Sequence, residues 1–180
     1  MRPELPKRRM TGKILLRLAY KADSSPATAG GFNTALSNSS LIRKFGVEHN
    51  SIMDYCRKHP EIAIDGLHLH PGSRIARLDT FREALGSLHR LADGMEAELG
   101  RKMRVINIGG GLAGSYLPEM PPPTIASLVA ALAPMLRSRF EYFVEPGNSL
   151  VGDTMCLITK VVMVKRDNGS AIAVMDVGYD

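Results

Sequence analysis

The sequence predicts an α/β region that gives way to β structure near residue 150. Short apolar runs alternate with helical patterns between residues 13 and 144, the order expected of parallel strands joined by crossover helices. Beyond residue 150 two β-rich runs flank Arg166-Asp167-Asn168-Gly169, and Asn-Gly between such runs signals a hairpin. Three predicted strands also end in clusters rich in His, Gly or Glu, at the carboxyl ends where ligands of α/β folds bind.

Lys13–Ala19 (KILLRLA) reads as a buried strand and Tyr20–Ser40, rich in Ser, Ala, Gly and Asn, as a long loop. Val47–Lys58 fits a short helix ended by Pro60, and Ile62–His68 a second strand closed by Pro71 and Gly72. Asp79–Leu99 gives the clearest helix: Phe81, Leu85, Leu88, Ala92, Met95 and Leu99 recur at three- and four-residue steps, with Asp79 or Thr80 as the cap and Gly100 as the stop. Arg104–Ile108 is a strand that runs into Gly109-Gly110-Gly111. Pro121–Pro123 precede an apolar helix over Thr124–Arg137, and Phe140–Val144 is a strand ending in Glu145-Pro146-Gly147. Met155–Lys165 and Ala171–Met175 are the arms of the hairpin.

Composition excludes several classes. The chain has 180 residues, 44% hydrophobic and 23% charged, which argues against wholesale disorder. No apolar run approaches the roughly 18 residues of a membrane span, and the basic start lacks the apolar stretch of a secretory signal. Two cysteines, Cys56 and Cys156, cannot organise a disulfide framework, so a reducing, cytoplasmic setting is expected. The net charge of +5 is uneven: residues 1–44 hold nine Lys/Arg and two Asp/Glu, the remainder fourteen and sixteen. The excess belongs to the N-terminal quarter, has no interleaved aromatics and reads as a solvated terminus rather than a nucleic-acid surface.

The three strand-end clusters are the candidate site. Gly109-Gly110-Gly111 lets backbone N–H groups approach an anion such as phosphate, or makes a tight turn. His68 and His70 share one face of a strand; no third ligand has metal spacing, so stacking on an aromatic ring or a structural role is the better use. Ser73 adds a hydroxyl that can donate to a phosphate. Glu145 needs a cationic or hydrogen-bonding partner if buried, and a protonated ring nitrogen would serve; a strand-end cap is the plainer alternative.

Five motifs occur in order: Arg43-Lys44-Phe45-Gly46-Val47, Gly66-Leu67-His68-Leu69-His70-Pro71-Gly72-Ser73, Ile106-Asn107-Ile108-Gly109-Gly110-Gly111-Leu112, Val144-Glu145-Pro146-Gly147 and Val174-Met175-Asp176-Val177-Gly178. Together they resemble the fold-type III pyridoxal-phosphate decarboxylases acting on diaminopimelate, ornithine or arginine, with the diaminopimelate enzymes nearest through GLHLHPGS. The resemblance covers roughly residues 13–180. It implies the C-terminal half of a (β/α)8 barrel, about strands five to eight over residues 1–150, followed by the first strands of a β domain over residues 151–180. It implies pyridoxal 5'-phosphate as cofactor, an amino-acid substrate, a homodimer, and no nucleic-acid or membrane partner.

By the same resemblance His70 stacks on the pyridine ring, Ser73 and the Gly109–Gly111 backbone hold the phosphate, and Glu145 pairs with the ring nitrogen. Arg17 matches a strand Arg near the cofactor. Asn148 stands where the family usually has Arg, and Pro71 where it often has Ile or Val. The family's anchoring lysine belongs to the first barrel strand. Ala19-Tyr20-Lys21-Ala22-Asp23 mimics its motif, but the 23 positions from Lys21 to Lys44 are too few for the intervening units of about 30 residues each. The catalytic Cys and Tyr of the family's C-terminal domain would fall past residue 180. The expectation is therefore a piece of such a decarboxylase, inactive alone. An inactive paralogue with a binding role is the alternative that Asn148 favours; a barrel-type amino-acid racemase is the one that Glu145 disfavours.

Overall fold

A computed structural model describes residues 12–19, 45–115, 121–152, 154 and 156–178. Four short strands lie side by side in chain order and all parallel: β1 (Leu15–Leu18), β2 (Gly66–Leu69), β3 (Val105–Asn107) and β4 (Glu141–Phe143). Helices α1 (His49–Lys58), α2 (Leu78–Leu99) and α3 (Ile125–Leu132) fall between consecutive strands, as parallel neighbours require. A four-residue helix, α4 (Asn148–Val151), follows the sheet. A separate antiparallel pair, β5 (Val161–Asp167) and β6 (Ser170–Met175), completes the fold.

The register sorts the side chains. Leu16, Leu67, Ile106 and Tyr142 stand opposite one another across the sheet, as do Arg17, His68, Asn107 and Phe143. In-register neighbours of a parallel sheet point to the same side, and successive residues to opposite sides. The apolar row, continued by Leu18, Leu69 and Ile108, joins Ile52 and Met53 of α1 and Phe81, Leu85, Leu88 and Met95 of α2 in one buried cluster. Each such side chain, fully buried, stabilises the fold by about 1.5–3 kcal/mol. The polar row lies on the opposite face.

Several boundaries differ from the sequence reading. Lys13–Ala19 is shorter as a strand and only Leu18 in it is buried, because β1 lies at one end of the sheet with a single bridge to Val47 beyond it. Residues 62–65 are not strand: the Ile62 carbonyl accepts from the Arg101 guanidinium, which also reaches the Cys56 and His59 carbonyls at the end of α1. Neither Asp79 nor Thr80 caps α2; Arg77 occupies that position without a side-chain bond, and Asp79 lies in the first turn beside Arg82. The predicted stop at Gly100 holds, in a left-handed conformation. Helix α3 ends at Leu132 rather than Arg137 and continues as a 3-10 turn over Ala133–Met135, since Pro134 has no N–H to give an α-helix. Its N-cap is Thr124, which accepts from the Ser127 N–H at 3.0 Å.

The hairpin is present, but its first arm begins at Val161 rather than Met155. Asn168 and Gly169 have φ of 45° and 82°, the conformation a two-residue I′ turn needs. Asp176 clamps the open end, accepting from the Lys160 N–H at 2.9 Å and donating its own N–H to the Lys160 carbonyl at 3.0 Å. No helix among the described residues is long and apolar enough to cross a membrane. The predicted loop Tyr20–Ser40, with Lys21, lies outside the described residues.

Candidate functional site

The polar row and the residues just beyond it build the site. Asn107 is the last residue of β3 and is buried to 8% exposure. Its Oδ1 accepts from the Gly109 N–H at 2.9 Å, and its Nδ2 donates to Glu145 Oε1 at 2.8 Å. The Glu145 N–H in turn donates to the Gly109 carbonyl at 2.8 Å, extending the β3–β4 ladder past the end of β4. Glu145 and a glycine turn from two different strands are thus tied together twice, once directly and once through Asn107.

The glycine turn itself has no room for side chains. A Cβ on Gly110 would lie 2.1 Å from the Glu145 carbonyl oxygen, and one on Gly111 would lie 1.9 Å from the Gly72 carbonyl oxygen at φ +98°. Both distances are far inside van der Waals contact. Beyond the turn, the Ile75 N–H donates to the Gly111 carbonyl at 2.8 Å and the Ala113 N–H to the Ile75 carbonyl at 3.0 Å. These bonds stitch the segment after His70 to the segment after β3.

His68 lies beside this array. Its Nε2 is buried, is 3.7 Å from Glu145 Oε1 and makes no hydrogen bond. Burial pushes the pKa of His68 down; Glu145 opposes that shift, and Arg17 and His70 add to it. Burial likewise lowers the pKa of His70, with Arg17 reinforcing and Glu145 opposing. Both imidazoles are held neutral at pH 7, which leaves their faces able to stack on a ring. Arg17 has its guanidinium 5.0 Å from the centre of the Phe45 ring, so the Phe45-Gly46 motif packs against the first strand.

The structure brings Arg17, His70, Gly109, Gly110, Gly111 and Glu145 to one end of the sheet. Ser73 is exposed on the loop after β2. Asn148 begins α4 and lines, with Ser115, Thr124 and Ser149 among others, a cavity of about 360 Å³ that neither His70 nor Glu145 reaches. Lys21 lies outside the described residues. Sequence reasoning misses Asn107 as a site residue. The available signal is a lone polar residue inside the apolar run Val105–Ile108, on the same strand face as His68 and two positions before a glycine whose N–H it accepts. Among the described residues no group of His, Cys, Asp and Glu could hold a metal ion.

Residues 5–152 match the family model described as "Pyridoxal-dependent decarboxylase, pyridoxal binding domain". A diaminopimelate decarboxylase of Archaeoglobus fulgidus is 32% identical over 178 residues, covering 93% of this chain and 41% of the relative. A probable chloroplastic diaminopimelate decarboxylase of Oryza sativa subsp. japonica is 30% identical over 179 residues, covering 93% of this chain and 35% of the relative. The chain therefore spans about two fifths or less of the length of these relatives. Among solved structures, diaminopimelate decarboxylase from M. jannaschi has the same fold, with a TM-score of 0.65 at 24% identity over 93% of this chain and 40% of that one.

Proposed function

The chain belongs to the pyridoxal-dependent decarboxylase family, and from that premise we propose that it binds pyridoxal 5'-phosphate and serves the α-decarboxylation of a diamino acid, diaminopimelate first. The observation that carries this reading is the hydrogen bond from the Glu145 N–H to the Gly109 carbonyl. It joins a carboxylate suited to a ring nitrogen to a turn suited to a phosphate, the two ends of one cofactor.

The residues fit that group. Gly110 and Gly111 let the turn pack directly on the Glu145 and Gly72 carbonyls, where no Cβ fits, and their N–H groups, with the Ser73 hydroxyl, would hold the phosphate. His70, neutral and half-buried, would cover the ring. Glu145 would accept a hydrogen bond from the protonated ring nitrogen, and the unpaired Nε2 of His68 is a further polar atom beside it. Arg17 stands over Phe45 and adds to the burial that lowers the pKa of both histidines. Asn148 would contribute a neutral hydrogen bond where the family usually has Arg. The cofactor, when bound, supplies an electron sink for the pair left when a carboxylate departs as CO₂. The protein residues bind it, orient it and keep its ring nitrogen protonated.

The four parallel strands are read as a run of barrel strands and β5–β6 as the start of a β domain, with the boundary near residue 150. The full activity is read as that of a homodimer in the cytoplasm. For these 180 residues alone the reading is binding without turnover. Titration of the purified chain with pyridoxal 5'-phosphate, followed by absorbance and fluorescence quenching, should show saturable binding that Glu145→Ala and Ser73→Ala weaken. Absence of saturable binding would refute the cofactor assignment. Lysine and CO₂ released from diaminopimelate by the chain alone would refute the second part.

A further inference from the structure

We propose that Asn107 is a positioning residue: its amide fastens the Glu145 carboxylate to the Gly109 turn, so that one side chain sets both ends of the cofactor site. The inference rests on the cofactor reading above for its meaning, but its geometry is a property of the chain itself.

The orientation of the amide is not ambiguous. The Gly109 backbone N–H can only donate, so the atom of Asn107 facing it at 2.9 Å must be Oδ1. The nitrogen end then faces Glu145 Oε1 at 2.8 Å and can only donate. That oxygen of Glu145 therefore accepts. The other acceptor sites of Glu145 remain for a ring N–H. Asn107 is itself nearly fully buried, so an unmade bond at either end of the amide is costly.

The charged and titratable groups near Glu145 are Arg17 of β1, His68 of β2 and His70 just after it: Glu145 opposes and Arg17 reinforces the lowering of both histidine pKa values, and His68 Nε2 is 3.7 Å from the same Oε1. None of them makes a hydrogen bond of normal length to that oxygen among the described residues; Asn107 does. The glycine turn also answers to Asn107, since Gly109 is the residue whose carbonyl receives the Glu145 N–H. Loss of the amide therefore loosens the ring partner and the phosphate cradle together.

Asn107→Asp separates this role from simple filling of space. The substitution is isosteric and keeps the acceptor for Gly109, but it sets a second carboxylate against Glu145. Two carboxylates at that distance titrate as a pair with one apparent pKa raised. In the double variant N107D/E145Q, the amide introduced at position 145 can donate to the carboxylate introduced at position 107 and restore the hydrogen bond with its polarity reversed. Fastening of the Gly109 turn would be rescued by the double variant; presentation of a carboxylate to the ring nitrogen would not.

The test is a carboxyl ¹³C NMR titration of the full 180-residue chain without cofactor, together with amide exchange at Gly109 and pyridoxal 5'-phosphate affinity. In N107D the upper apparent pKa of the pair should stand about one unit or more above that of Glu145 in the unsubstituted chain. In the double variant Gly109 exchange should return to the unsubstituted rate while cofactor affinity stays at least about tenfold weaker. A Glu145 titration that is the same in N107D as in the unsubstituted chain would overturn the proposal. So would full recovery of cofactor affinity in N107D/E145Q. If the unsubstituted chain fails to bind cofactor yet the N107D titration shifts, the cofactor reading falls and the positioning of Glu145 by Asn107 stands.

Discussion

Replacing Gly111 by Ala tests the cradle most directly. The added Cβ would lie 1.9 Å from the Gly72 oxygen, 2.9 Å from the Gly72 carbonyl carbon and 3.3 Å from Ile75 Cδ1. The first two are backbone atoms and cannot rotate aside, so the Gly72–Ile75 segment must move by about 1 Å. Non-glycine residues at positive φ cost about 1–3 kcal/mol, and overpacking adds about 1–3 kcal/mol. The loss should be about 2–6 kcal/mol, a large share of the stability of a small domain, about 5–15 kcal/mol. With a urea slope of about 2 kcal/mol/M, the midpoint should fall by about 1–3 M. Gly100→Ala is the control for backbone strain alone: its φ is +64° and nothing lies within 4 Å of the new Cβ. If Gly111→Ala lowers the urea midpoint no more than Gly100→Ala does, the clash with Gly72 is not real and the cradle argument fails.

Further outcomes are expected elsewhere in the chain. Gly94 lies in α2 with nothing within 4 Å of an added Cβ, so Gly94→Ala should raise stability by about 0.5–1 kcal/mol, read as a higher urea midpoint. Arg101→Met removes the donor shared by the Ile62, Cys56 and His59 carbonyls and should cost about 2–3 kcal/mol, with amide exchange speeding first at the end of α1. The Tyr142 hydroxyl accepts from the Arg137 N–H at 2.9 Å and shares a hydrogen bond with His89 Nε2, also at 2.9 Å; Tyr142→Phe leaves both without a partner and should cost about 1–3 kcal/mol by urea denaturation. Burial foremost lowers the pKa of His68, His70 and His89. Each folded-state pKa is then below the unfolded value of about 6.5, the unfolded chain binds more protons there, and stability rises with pH. Their contribution is complete above about pH 7 and is lost as pH falls through the unfolded value toward the folded ones. His89→Gln should flatten that slope in urea midpoints taken between about pH 7.5 and pH 5.5; an unchanged slope would remove His89 from the account.

What the sequence revealed and what it hid divide along a physical line. Helix α2 was legible because the spacing of Phe81, Leu85, Leu88 and Met95 is a local record of which face is buried, and the hairpin because Asn168-Gly169 dictates its own turn. The site was legible where local backbone chemistry demanded it, as at the glycine triplet. Residues 62–65 misled because their apolar content resembles a strand, while the partner that claims the Ile62 carbonyl lies 39 positions away. Asn107 was unreadable for the same reason. Its meaning depends on two ladders that set it level with His68 and Phe143 and two residues short of Glu145 on the same face. Those ladders are fixed by the opposite face. A slip of one residue in β3 would turn Ile106 outward and Asn107 into the helices, and burial of Leu67, Leu69 and Ile106 against α2 forbids it. The packing of apolar side chains on one side of the sheet therefore selects the hydrogen bond between Asn107 and Glu145 on the other. A core substitution such as Ile106→Ala, which touches no polar atom of the site, should then cost about 2–5 kcal/mol and loosen the Gly109 amide as well; a full loss of stability with Gly109 exchange still slow in the folded population would separate the two faces and break the argument.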